Sequence, residues 1–333
     1  MLEKVLVLPP SLSQNFSLSL SKFCQMKINC FLIRFLPVFL TRRYLAVLGR
    51  LYYLFNRREK TLIRNTIARV FRKKLAPPHL YRVIQQTFRG IFAHYHEKLF
   101  LAYGHYQRVF RFLKDRIRFE GEEHLQAALA GGRGVILVTG HYGAVEFLPG
   151  ILAIHAYPVA MICRFQTERL RASLTERSQR VKMELIDADG DNVFAAAFRA
   201  LRRGRLLITE CDEFDEWRLD PHKFVSFLGS RLALDRSLDL LQKRSGAPVV
   251  TALAQRNGGR RYTVNFTPIP SGAVPVAEQC LGVLEEAIQA HPEQWYQWKK
   301  FGKMIQAPLE VEDDHEECGY LAPEIGLSVP DQA

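Results

Sequence analysis

The sequence predicts an α/β fold: a mixed, mainly parallel central sheet flanked by helices, with an amphipathic helical segment ahead of it. Three observations carry this. Apolar runs of strand length, GVILVTG (134–140), YPVAMICRF (157–165) and RLLITECD (205–212), are separated by stretches of helical character. Two more such runs, APVVTALAQR (247–256) and RRYTVNFTPI (260–269), flank an Asn-Gly-Gly turn. Before residue 116 the apolar positions instead recur at three- and four-residue steps. Strands alternating with helices bury both faces of a sheet, which gives an α/β architecture.

Taken in order, residues 1–27 have no clear period and read as a loosely structured leader. From 28 to 115 the pattern is helical. Leu80, Ile84, Phe88, Ile91, Phe92, Tyr95 and Leu99 fall on one helical face behind a Pro77-Pro78 start signal. This stretch predicts two or three basic amphipathic helices. The α/β domain is expected over 116–305. RIRFEG (116–121) reads as a strand, 122–130 as a helix stopped by Gly131-Gly132, and GVILVTG as a buried strand followed by a helix from about 143. After the 157–165 strand come a charged helix (166–182), a strand (183–188), a helix (193–204) and the 205–212 strand. Residues 232–246 read as a helix closed by glycine, and 275–290 as a final helix. Residues 306–333 form an acidic tail, expected to be solvated.

Charge is distributed unevenly. The formal net charge is +12, yet no Lys or Arg follows Met304, where eight acids lie, so the preceding residues carry +20. Residues 1–118 alone hold 23 Lys/Arg against four Asp/Glu. A basic segment of that size calls for an anionic partner. Residues 28–55 are rich in Phe, Leu and Tyr but are interrupted by Arg34, Pro37, Arg42, Arg43 and Arg50. That falls short of the roughly 20 uninterrupted apolar residues of a spanning helix. It fits a helix lying in the interface of an anionic membrane, its arginines at headgroup level; a buried amphipathic helix is the other reading. Zinc-finger, aromatic RNA-binding and helix-turn-helix patterns are missing, which argues against a nucleic-acid partner. The six cysteines have no metal-ligand or CxxC spacing and read as reduced thiols, and no metal is expected.

The chemistry concentrates in VILVTGHYGAVEF (135–147). A buried strand delivers His141 into a turn between Gly140 and Gly143, with Glu146 five residues beyond the histidine. Five residues on one helix is about 500°, so the pair can meet only if His141 precedes the helix and Glu146 sits on its first turn. Ligands of α/β folds bind at the C-terminal ends of strands. A carboxylate accepting from Nδ1–H fixes the tautomer and frees Nε2 to take a proton. Backbone N–H groups near Gly143, or an arginine, are candidate donors to a developing oxyanion. No Ser, Cys or Lys stands in a nucleophile elbow, so a covalent intermediate lacks a candidate.

Around these residues the sequence resembles the bacterial lipid A biosynthesis (late) acyltransferases of the lysophospholipid acyltransferase superfamily. The resemblance rests on FEGEEHLQAALAGGRGVILVTGHYGAVE (119–146), the strand ending at Arg164, the strand ending near Asp212, FVSFLG (224–229), RSGAPVV (244–250) and HPEQWYQWKKF (291–301). It implies that His141 and Glu146 form the family's H-x4-E pair, which deprotonates a lipid hydroxyl for direct attack on an acyl thioester. It also implies a donor on acyl carrier protein or coenzyme A, no further cofactor, a lipid A precursor-like or lysophospholipid acceptor, and work at the cytoplasmic face of the bacterial inner membrane. Two positions depart from the pattern. The family's Tyr-Arg-Pro reads Cys163-Arg164-Phe165 here, and its Pro-Asp-Gln-Asp stretch reads Glu210-Cys211-Asp212-Glu213, followed by Asp215 and Glu216. By the resemblance Arg164 and Arg180 bind substrate phosphate, and Asp212 and Gly143 line the substrate site. Surface arginines and a solvated acidic loop are the competing readings. Trp295 and Trp298 are expected to pack or to sit at a membrane interface. A family member without catalytic activity, serving as a lipid-binding subunit, is the alternative function.

Overall fold

The computed structural model describes residues 24–306 apart from 166 and 215–217. Nearly all of the expected leader, the acidic tail, Asp215, Glu216 and Cys318 lie outside the described residues.

Strands β1 (Ile117–Glu120), β2 (Val135–Thr139), β3 (Val159–Cys163), β4 (Glu184–Asp187), β5 (Leu206–Glu210), β8 (Val249–Arg256) and β9 (Tyr262–Ile269) build a seven-stranded sheet from the described residues, in the order β1-β9-β8-β2-β5-β3-β4. All neighbours are parallel except β8 and β9, which pair antiparallel across the Asn-Gly-Gly turn. The mixed, mainly parallel sheet is therefore as the sequence predicts. Strand β2 is central, paired with β5 on one side and β8 on the other, and every one of its residues is buried. A strand covered on both faces must be apolar throughout, which is why VILVT lacks the alternation of a half-exposed strand.

Helices α6 (Glu122–Ala130), α7 (Leu148–Ile154), α8 (Glu168–Arg180), α9 (Val193–Arg202), α10 (Ser237–Ser245) and α11 (Val276–Ala290) pack on the sheet or on one another. The predicted helix over 232–246 is corrected at its front. Residues Ser230–Asp235 are strand β7, which pairs antiparallel with β6 (Leu219–Phe227) in a separate hairpin. Apolar Leu232 and Leu234 alternate with Arg231 and Ala233, a period of two that suits a strand, and the helix starts only at Ser237.

Among the described residues, five helices rather than two or three come ahead of the sheet: α1 (Lys27–Phe35), α2 (Val38–Phe55), α3 (Arg57–Phe71), α4 (Pro77–Tyr103) and α5 (Tyr106–Arg116). Pro37 separates α1 from α2, and α4 begins on the Pro77-Pro78 signal. These helices share the core of the α/β unit. Helix α4 packs on the 3₁₀ turn Pro292–Gln294 and on the turn Val145–Phe147, and α3 packs on α12 (Trp298–Met304). A buried ion pair ties α4 to the sheet: Arg256 Nε and Nη2 donate to Glu97 Oε1 and Oε2 at 2.9 and 2.7 Å. Removing one partner of such a pair leaves a lone buried charge, at a cost of about 3–5 kcal/mol.

The first two helices also expose apolar surface. Phe31, Phe35, Phe39, Val47, Leu51, Leu54 and Phe55 are all exposed, Phe55 to 88%. Arg34, Arg43 and Arg50 are exposed among them, and Arg57 and Arg58 follow. Among the described residues no helix is long and apolar enough to cross a membrane.

Leu137 is wholly buried in β2. Leu137→Ala is expected to lower unfolding free energy by about 2–5 kcal/mol, through lost apolar transfer plus a residual cavity. Urea denaturation followed by circular dichroism checks this.

Candidate active site

The turn after β2 is held by backbone contacts that exclude most side chains. Gly143 adopts φ +57, and a Cβ there would lie 1.9 Å from the Ala254 carbonyl oxygen. The neighbouring N–H groups are all engaged. Tyr142 N donates to Gly140 O, Gly143 N to Gln294 O at 2.9 Å, and Ala144 N to Ala254 O at 2.6 Å. The oxyanion role expected for N–H groups near Gly143 is therefore not available in this geometry: they anchor the turn to β8 and to the 292–296 segment. Tyr296 N donates back to His141 O at 3.2 Å, closing the brace.

His141 stands at the C-terminal end of β2 and lines a cavity of about 540 Å³. Its Nδ1 lies 2.9 Å from Asp212 Oδ1, and its Nε2 lies 2.9 Å from Glu213 Oε1 and 3.5 Å from Glu210 Oε2. Asp212 is completely buried and accepts two further hydrogen bonds. One comes from the His141 backbone N–H, 2.9 Å from Oδ2, and one from Trp295 Nε1, 2.7 Å from Oδ2. Trp295 thus packs, as expected, and also fixes the carboxylate that orients the imidazole. Glu213 makes a second ion pair, with Lys300 Nζ at 2.5 Å from Oε2.

This corrects the sequence reading of the acid. Asp212, taken as a site-lining group, occupies the Nδ1 position, and Glu146 does not. Residues Val145–Phe147 form a 3₁₀ turn with Val145 and Phe147 buried, and α7 starts only at Leu148. Glu146 instead reaches α4, with Oε1 3.5 Å from Lys98 Nζ and 3.6 Å from His94 Nε2. It still lines the same cavity as His141. His94 stacks on Tyr296 at 3.7 Å, while His141 meets the edge of that ring at 5.2 Å. Burial, then the charges of Lys98, His141 and Arg256, hold the His94 pKa well below the ordinary range, so it faces Glu146 as neutral imidazole.

Electrostatics follow from the geometry. Burial alone would disfavour charge on His141, but Glu210, Asp212 and the hydrogen bonds to Asp212 and Glu213 overcome it and raise its pKa well above the ordinary value. Both ring nitrogens face a carboxylate at 2.9 Å, an arrangement that only the doubly protonated ring satisfies. Burial opposes the charge of Glu213 as well, but the hydrogen bond and charge of His141, with Lys300, bring its pKa down to about 2. Glu210 is pushed up to about 7, chiefly by burial; His141 opposes this, while Glu213, Asp212 and Glu146 add to it. One donor atom each from His141, Glu210 and Glu213 lie within 4.8 Å of one another, a set able to hold a cation.

The remaining predicted residues separate. Arg164 lines the His141 cavity and donates from Nε to Asp189 Oδ1 at 2.8 Å. Arg180 does not line it. It pairs with Glu176 at 2.7 Å and belongs to a second cavity. The walls beyond His141 are mostly apolar, with Leu113, Ile154, Met161, Leu174, Phe194 and Leu241 among them. Sequence reasoning missed Lys98, His94, Tyr296 and Lys300. The lysines and the stretch around Tyr296 stood in a basic helix and in a motif quoted for its resemblance, and neither pattern points at His141.

A family model described as bacterial lipid A biosynthesis acyltransferase matches residues 22–300. No curated protein matches the chain.

Two outcomes follow from this geometry. Gly143→Ala forces a side chain into a carbonyl at positive φ and is expected to destabilise the protein and displace His141, seen as a lowered melting temperature. Glu213→Gln removes a partner charge from His141, and NMR titration of the imidazole is expected to show its pKa moving down.

Proposed function

The chain belongs to the bacterial lipid A biosynthesis acyltransferase family, and on that premise we propose that it transfers a fatty acyl chain from a thioester to a lipid hydroxyl with His141 as general base. The observation that carries this reading is an imidazole oriented through Nδ1 by a buried aspartate and lining a cavity with largely apolar walls. The cavity's volume is in the range of sites that enclose most of a small ligand, roughly 300–1,000 Å³. Its apolar wall suits an acyl chain, and the polar mouth at His141 suits the reacting carbonyl and hydroxyl.

In the proposed cycle the acceptor hydroxyl enters beside Nε2, in the place Glu213 fills in this structure. Neutral His141 takes the hydroxyl proton as the oxygen attacks the thioester carbonyl. Asp212 holds the tautomer and stabilises the imidazolium that forms. The tetrahedral intermediate then collapses, and His141 returns the proton to the leaving thiolate. With the backbone N–H groups of the turn engaged, three of the cations lining the cavity, Lys98, Arg164 and Lys300, are the donors we assign to the oxyanion. Glu146 acts here through Lys98, not through the imidazole.

The donor in this reading is acyl carrier protein or coenzyme A, and the acceptor a lipid A precursor-like lipid or lysophospholipid. The exposed apolar face of α1 and α2, interleaved with arginines, supports docking on an anionic bilayer surface, at the cytoplasmic face of the inner membrane. A second reading is favoured by the His141, Glu210 and Glu213 set: a bound cation would compete with the proton at Nε2.

His141→Ala is expected to lower acyl transfer by about 10²- to 10⁴-fold, with Asp212→Asn falling in the same range. The assay is thioester consumption with lipid extract as acceptor; unchanged turnover in the His141 variant overturns the mechanism. No consumption by the wild type points to the non-catalytic binding subunit. Because the base must be neutral and its pKa is raised, the rate is expected to rise with pH through a limb above the ordinary histidine value, and Glu213→Gln moves that limb to lower pH. Dialysis against EDTA leaves the rate unchanged; a loss restored by a divalent metal favours the second reading. Leu51→Asp with Phe55→Asp is expected to reduce co-sedimentation with phosphatidylglycerol vesicles while the soluble fold persists.

A further inference from the structure

A second cavity, of about 530 Å³, lies where α1, the α4–α5 turn and α8 meet. Arginine dominates it. Arg34 comes from α1, and Arg169, Arg177 and Arg180 come from α8, while the one carboxylate on its wall is Glu176. Glu176 pairs with Arg180, at 2.7 Å. Arg177 donates to the Gly104 carbonyl across the α4–α5 turn. Arg34 and Arg169 have no carboxylate within ion-pair distance among the described residues.

Three of the four guanidiniums lie against aromatic rings. Arg169 stands over Tyr103 at 5.5 Å, Arg180 over Tyr106 at 5.0 Å, and Arg34 beside Phe35 at 5.8 Å. The charges repel. Burial first, and then the nearby Arg180 and Arg34 against the opposing Glu176, keep the Arg177 pKa below the usual arginine range. The Tyr103 hydroxyl, on the same wall, is cut off from solvent and, among the described residues, neighbours only the Cys30 thiol as a polar partner. A cavity with surplus guanidiniums suits an anion that accepts several hydrogen bonds at once. Phosphate matches this: its tetrahedral oxygens take forked N–H pairs, and a phosphate monoester approaches two negative charges near neutral pH.

We infer that this cavity binds a phosphate monoester, with Arg34 and Arg169 as its principal ligands and the Tyr103 hydroxyl as a further donor. Its position says where the phosphate comes from. Phe31 and Phe35, which line it, are exposed on the apolar face of α1, at the depth of a lipid headgroup if that face meets a bilayer. Tyr106 and Arg177 line both cavities, so the phosphate site adjoins the His141 groove. The inference does not rest on acyl transfer and is tested by binding alone.

Calorimetry on the full chain compares three soluble probes: inorganic phosphate, dihexanoyl phosphatidic acid and dihexanoyl phosphatidylcholine. The phosphatidic acid is expected to bind at least about tenfold more tightly than the choline lipid. Arg34→Gln with Arg169→Gln is expected to remove that preference, while Arg43→Gln with Arg50→Gln, on the same basic segment but outside the cavity, retains it. Competition by inorganic phosphate identifies the phosphate group as the recognised unit; binding of phosphatidic acid without such competition assigns the site to a lipid headgroup. Equal binding of both lipids by the wild type, or an undiminished preference in the Arg34/Arg169 variant, overturns the proposal. Each single variant is measured beside the double, with a melting curve, so that a folding defect is separated from a lost ligand.

Discussion

The site depends on one fully buried carboxylate. Asp212 accepts from the His141 backbone, from the His141 ring and from the Trp295 indole, so three donors are aimed at two oxygens. A hydrogen bond to a charged group contributes about 1.5–3 kcal/mol, and a buried carboxylate without such donors would be strongly unfavourable. The same contacts therefore stabilise the anion and fix the ring. They also join three distant parts of the chain: the end of β2, the residues after β5 and the loop before α12. Gly143 makes this convergence possible, because only a residue without Cβ lets the turn lie against the Ala254 carbonyl.

Charge then divides the cluster into unequal parts. Asp212 is held by donors on every side, Glu213 is shared between His141 and Lys300, and Glu210 has neither advantage. Burial consequently falls hardest on Glu210, whose pKa rises to about 7 while that of Glu213 drops to about 2. Carboxylates packed this closely cannot all ionise equally, and the imidazole decides which do. Glu146 stands outside this cluster, on Lys98 and a neutral His94.

The basic N-terminal third has more than one use. Lys98 faces the His141 cavity, and Arg34 faces the second cavity. The exposed phenylalanines of α1 and the arginine-lined cavity are adjacent, so apolar surface and arginine-rich surface form one region of the molecule.

Much of this was legible before any coordinates. Outside the β6–β7 hairpin, periodicity gave the order of strands and helices from Ile117 onward, since a central strand has to be apolar and an amphipathic helix has to repeat. It failed at Leu232 and Leu234, where a two-residue alternation ran straight into a helix and was read as its first turn. His141 was legible because a titratable residue followed a buried strand between glycines. The identity of its acid was not. Spacing measures neighbours along the chain, and it favoured Glu146, five residues away. Asp212 lies 71 positions further on and reaches Nδ1 only because β5 pairs beside β2 in the sheet. The sequence by itself determined the fold class, the position of His141 after a buried strand and the basic character of the first helices. The tertiary structure alone decided which carboxylate meets which ring nitrogen, and which arginines share a cavity, because those contacts are made by packing between segments that the linear pattern keeps apart.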